Sequence, residues 1–86
     1  MTQRGRRHFR TLHRLFEQPI RADLRWSEVE AMLLAFGAVI SEGRGSRVRV
    51  VINGVRAVFH RPHPGDEMDK GAVRSLRRFL DSARFN

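Results

Sequence analysis

Asn53-Gly54 stands between two apolar runs, and both residues tolerate the positive φ that a two-residue hairpin turn demands. A loop that short leaves one register. It pairs Ile52 with Val55, Val50 with Ala57 and Val48 with Phe59 on one side of the ladder. The two-residue period then sets Val51 opposite Arg56, Arg49 opposite Val58 and Arg47 opposite His60 on the other side. Strands at about 47–52 and 55–60 are predicted, apolar on one face and carrying three arginines and a histidine on the other.

The 86 residues suffice for one small core, and an apolar fraction of 41% excludes wholesale disorder. With no cysteine, a disulfide framework and a thiolate metal site are both excluded. No apolar run approaches the roughly 18 residues of a membrane span, and no apolar segment follows the first arginines as a secretory signal requires. A cytoplasmic protein without membrane contact is expected. Net charge is +8, and 16 of the 17 basic residues are arginine, whose planar fork suits phosphate and base contacts. Residues 43–64 hold five basic and no acidic groups, whereas 26–42 hold three acidic and no basic ones. The hairpin is therefore the expected polyanion surface.

Around the hairpin the other elements follow in order. Residues 1–7 are polar and arginine-rich, a composition that predicts disorder. From 8 to 17, Phe9, Leu12 and Phe16 recur at helical spacing beside Leu15, and Pro19 ends the helix. That helix would pack on the domain or fold with a partner, and its His8 and His13 read as solvated. A linker spans 19–25. Ser27 and Glu30 form a capping-box pattern ahead of Val29, Met32, Leu33 and Phe36, predicting an amphipathic helix over 27–36 closed by Gly37. Trp26 reads as a packing residue beside the cap. A short strand at 38–42 and a Gly43-Arg44-Gly45-Ser46 turn lead into the hairpin. The prolines at 62 and 64 impose an extended loop, and Asp66, Glu67 and Asp69 approach the last helix, with Asp69 as its N-cap. Within 70–84, Val73, Leu76, Leu80 and Ala83 form the buried stripe with Phe79 at its margin. Arg74, Arg77 and Arg78 project outward, as a solvated face or as an extension of the hairpin's basic surface.

The expected fold is a two-layer α+β domain over 24–86, in the order α-β-β-β-α of a double-stranded-RNA-binding domain, preceded by a basic extension at 1–23 with its own short helix. The carboxylates are too scattered for a metal site, and Ser46 lacks a nucleophile-elbow pattern. What the residues can support is acid/base chemistry on RNA, with His60 and His63 moving protons and Arg47 stabilising negative charge. A backbone-bonded strand-end role for His60 stays open beside that one.

Gly45-Ser46 entering a strand, the hairpin, the His-Pro loop and the run Asp69-Lys70-Gly71-Ala72-Val73-Arg74-Ser75-Leu76 resemble the HicA toxins of type II toxin–antitoxin systems. The resemblance covers about residues 24–84. It implies metal-independent cleavage of mRNA that blocks translation, no cofactor, and neutralisation by a HicB-type antitoxin covering the active face. It also implies a catalytic histidine directly after the Gly-Ser. Here that position is Arg47, which stays protonated and cannot act as the general base. The proton-transfer role would then pass to His60 or His63. Alternatively the protein is a non-catalytic RNA-binding or ribosome-associated module, or it has lost nuclease activity and persists through its antitoxin interface alone. Phosphate contacts are expected from Arg44, Arg47, Arg49, Arg56, Arg61, Lys70, Arg74 and Arg77. The chain by itself would be a monomer or weak dimer.

Overall fold

The computed structural model describes residues 3–84. Its elements are α1 (Gln3–Leu15), α2 (Trp26–Ala35), β1 (Val39–Glu42), β2 (Arg47–Ile52), β3 (Val55–His60) and α3 (Lys70–Ser82). The three strands form one antiparallel sheet in the order β1-β2-β3. All six cross-strand pairs of the hairpin are those that the Asn-Gly turn predicts, from Ile52 opposite Val55 to Arg47 opposite His60. Asn53 and Gly54 have φ of 50° and 78°, both in the region a primed two-residue turn requires. The Asn53 side chain also donates to the Ala83 carbonyl at 2.8 Å. The turn is thereby tied to the end of α3.

Val48, Val50, Ile52 and Phe59 point to one side and are buried. Val29, Met32 and Leu33 of α2 and Val73, Leu76, Phe79 and Leu80 of α3 close over them in a single core. Each such side chain, fully buried, contributes about 1.5–3 kcal/mol. Phe59 packs between Trp26, tilted at 5.9 Å, and Phe79, edge-on at 5.7 Å between ring centres. The buried Trp26 indole N–H finds no acceptor among the described residues. That costs about 1–3 kcal/mol, which burial of so large a ring offsets.

Local expectations around α2 are corrected. The Ser27–Glu30 capping box does not form: α2 starts one residue earlier, and Arg25 at its N-cap makes no side-chain cap. Asp66, expected to serve the last helix, instead takes the Ser27 amide at 3.2 Å and the Ser27 hydroxyl. Its own carbonyl accepts from Trp26 N–H at 2.7 Å, so a loop 39 residues away does the capping. Asp66→Ala is expected to lower the melting temperature by roughly 4–8 °C, about 1 kcal/mol. Glu30→Ala should change it little in the same thermal scan. By contrast, Gly37 does close α2: its φ is 98°, and Ala38 N–H reaches back to the Leu33 carbonyl at 2.9 Å. Asp69 caps α3 as expected, accepting from Ala72 N–H at 2.7 Å.

Further corrections concern the N-terminal region. Residues expected to be disordered are helical from Gln3; of that expectation, Met1 and Thr2 lie outside the described residues. The buried arc of α1 is His8, Thr11 and Leu15, whereas Phe9 is exposed and Leu12 and Phe16 only half-buried. Thr11 can be buried because its hydroxyl returns a hydrogen bond to the Arg7 carbonyl at 3.2 Å. Its small side chain lets α1 come close to α2, and His8, expected in solvent, lies edge-on to Phe36 at 6.4 Å. No helix among the described residues is long and apolar enough to cross a membrane.

Candidate nucleic-acid interface

Because helices cover only one face of the sheet, the other stays open. The strand register fills it in cross-strand rows: Arg47 with His60, Ser41 with Arg49 and Val58, and Val39 with Val51 and Arg56. Arg47, Arg49, Arg56 and His60 are all exposed. Arg44, Arg47, Arg49, Gly43 and Val58 line a shallow cleft of about 220 Å³ next to the glycine-rich turn. Arg49, Arg56, Ser41 and Val58 help line a second cleft of about 380 Å³. Arg44, Arg47 and Arg56 form no ion pair among the described residues, so their guanidinium groups are free for an anion.

His60 is held at the end of β3. Its Nδ1 lies 3.3 Å from the Ser46 hydroxyl, and the strand end is closed by Arg61 N–H donating to the Ser46 carbonyl at 2.9 Å. A hydroxyl both donates and accepts, so it can satisfy Nδ1 in either imidazole tautomer and leave Nε2 facing outward. The sequence motifs alone do not assign Ser46 this role. Extending the hairpin register one residue past Arg47 pairs Ser46 with Arg61 and, by strand alternation, sends its side chain to the other face. The contact therefore comes from the way the glycine-rich turn leaves the strand and has no signal in the sequence.

Other expected phosphate ligands stand elsewhere. Arg61 forks onto the Glu42 carboxylate at 2.8 and 2.9 Å and approaches Glu30 at 3.6 Å. That fork holds the Glu42 carboxyl below its ordinary range and raises the guanidinium above its own. Arg77, expected to project outward, is half-buried and donates to the carbonyls of Leu15, at 2.7 Å, and Glu17, with its guanidinium over the Phe16 ring. It is a structural link between α3 and α1.

Lys70 and Arg74 are exposed on α3. The Asn53 side chain ties the C-terminal end of α3 to the hairpin turn, and Lys70 stands at the opposite end of the helix. Both residues belong to the helical layer, however, rather than the open face. His63 is exposed in the loop that follows, and no contact among the described residues joins it to His60. No group of three His, Cys, Asp or Glu side chains converges at metal-binding distance among the described residues.

A family model described as "HicA toxin of bacterial toxin-antitoxin" matches residues 26–82, which run from the first residue of α2 to the last of α3. The chain belongs to the HicA toxin family. Neither a curated protein nor a solved structure gives a significant match. As a HicA toxin the chain is the toxin member of a toxin–antitoxin pair. The matched residues contain the whole sheet, the glycine-rich turn and the Arg47–His60 row, and α1 lies outside them.

Proposed function

We propose that this HicA toxin binds mRNA on the open sheet face and cleaves it with protein acid/base groups, and that a HicB-type antitoxin covers that face in the inactive pair. Such an RNA substrate sets its action in the cytoplasm. The domain over 24–86 would carry the activity, with 1–23 as an added extension. The observation that carries this reading is Arg47 directly opposite His60 on an exposed ladder, with the Ser46 hydroxyl behind the imidazole.

In the cleavage step His60 Nε2 takes the proton of an RNA 2′-hydroxyl. The 2′-oxygen forms a bond to the adjacent phosphorus, and the phosphorus–5′-oxygen bond breaks. The departing 5′-oxygen receives a proton from an acid, His63 or water, leaving a 2′,3′-cyclic phosphate and a 5′-hydroxyl. Arg47 neutralises the charge that builds on the phosphate oxygens, while Arg44, Arg49 and Arg56 hold neighbouring phosphates. Lys70 and Arg74 extend that hold only if the strand passes round the end of the sheet.

A second reading is favoured by one feature. Arg47 occupies the position where a HicA catalytic histidine is expected, and a guanidinium is no base. The same face would then bind RNA without cutting it. Combined Arg47→Ala, Arg49→Ala and Arg56→Ala decides the binding claim shared by both readings. RNA affinity should fall, and its salt dependence should flatten by about 0.7 log units for each single-strand phosphate no longer neutralised. Negligible affinity of the parent protein at about 0.15 M salt would overturn RNA binding altogether. New cyclic-phosphate ends in the parent, resolved by end-labelled gels, separate cleavage from binding.

A further inference from the structure

Helix α1, outside the matched residues, offers a surface that the sheet lacks. At 100° per residue its circumference divides into arcs. His8, Thr11 and Leu15 face the domain, and Phe9, Leu12 and Phe16 follow on the next arc. Arg6, Arg10 and His13 point to solvent, and the helix contains no acidic residue. Phe9 is 55% exposed and is the one exposed Phe or Trp among the described residues. Together with Leu12, His13, Phe16 and, just past the helix end, Glu17, whose carboxylate is held by Arg21 at 2.8 Å, it lines a mostly apolar groove of about 380 Å³. The rings are braced from behind: Phe9 rests on Phe36 at 5.4 Å, and the Arg77 guanidinium lies over Phe16 at 5.8 Å.

We propose that α1 is a second RNA contact, in which an unpaired base stacks on Phe9 in this groove while flanking phosphates meet Arg6 and Arg10. The open sheet face has arginines, valines and one imidazole but no phenyl or indole ring, so it suits a backbone better than a stacked base. On α1 both components are adjacent. Arg6 and Arg10 are one turn apart, about 6 Å along the axis, and neither forms an ion pair among the described residues. The exposed apolar area also suits a base better than a protein helix. A docking helix needs a stripe several residues long, but Leu12 and Phe16 are half-buried and, among the described residues, Phe9 is the one phenyl ring that stands clear. The inference rests on the reading that the chain binds RNA, and is independent of whether it cuts.

The test uses the full chain and a labelled 2′-O-methyl oligoadenylate, which lacks the attacking hydroxyl, beside the same strand made abasic. The parent should bind the base-bearing strand about tenfold more tightly than the abasic one. Arg6→Gln with Arg10→Gln, both in exposed positions, should weaken both strands and lower the salt slope by about 1.4. Phe9→Ala should abolish the preference for bases. Because Phe9 also packs on Phe36, the decisive comparison is the two strands on the parent protein, which no misfolded variant can confuse. Equal affinity for the two strands overturns the stacking site. An unchanged slope in the arginine pair, or loss of antitoxin binding with RNA binding intact, overturns the phosphate contact and assigns the ridge to a protein. Arg47→Ala with Arg49→Ala, run in parallel, separates the two surfaces: absence of RNA binding in every sample refutes the sheet-face reading too, whereas loss only in the sheet variant refutes this inference alone.

Discussion

Replacing His60 with alanine is expected to lower RNA cleavage about 10²–10⁴-fold, the usual contribution of a positioned acid or base, while leaving thermal unfolding unchanged. The structural half of that expectation follows from the position of the side chain. His60 ends β3 on the open face, and its polar side-chain neighbour there is the Ser46 hydroxyl. The ladder beneath it is closed by backbone bonds that alanine retains, including Arg61 N–H to the Ser46 carbonyl. The chemical half is read from induced growth arrest and from single-turnover cleavage on labelled RNA. Ser46→Ala should cost less, since it frees the ring orientation without removing the proton acceptor, and the loss should appear in kcat more than in KM. His63→Ala is the internal comparison. A large loss there with none in His60→Ala would move proton transfer from the strand to the loop. Cleavage that survives both substitutions would remove imidazole from the mechanism, and RNA binding without cleavage in the parent would establish the second reading.

Legibility of the fold followed the range of the interactions. The hairpin register, the Gly37 closure of α2 and the Asp69 cap depend on residues within a few positions of one another, and each is readable from local chemistry. The candidate face inherits that legibility, because Arg47 and His60 are joined by the same turn geometry. What the sequence concealed was long-range competition for polar groups. Ser27 and Glu30 match a capping box, yet Asp66 is a charged acceptor delivered by the fold, and it takes the amide and hydroxyl that Glu30 and Ser27 would have exchanged. Arg61 sits in a stretch with no acidic residue, yet the β1–β2 pairing brings Glu42 to it. In α1 apolarity pointed to Phe9, whereas burial followed Thr11, whose small side chain satisfies its own hydroxyl on the Arg7 carbonyl, and His8, which packs edge-on against Phe36.

Arg77→Met is expected to destabilise the protein by about 2–3 kcal/mol, roughly 10–20 °C in melting temperature for a domain of this size. Methionine keeps the length of the stem and removes the guanidinium, so the loss reports the polar contacts. Those are donations to the Leu15 carbonyl, at 2.7 Å, at the end of α1 where helix carbonyls lack intrahelical donors, and to the Glu17 carbonyl two residues beyond it. A hydrogen bond from a charged donor contributes about 1.5–3 kcal/mol, and water can re-solvate part of this half-buried site, which sets the total below twice that figure. Arg74→Met on the exposed side of the same helix should stay within about 0.5 kcal/mol. The damage should also be local in origin. Amide exchange in α1 should accelerate before that of β2 and β3, because Arg77 is the charged tether between α1 and α3. If exchange instead accelerates uniformly, α1 belongs to the same cooperative unit as the sheet, and its attachment is carried by Leu15 in the core rather than by the guanidinium. An unchanged melting temperature with α1 still protected would show that the Arg77 contacts contribute nothing net to the fold.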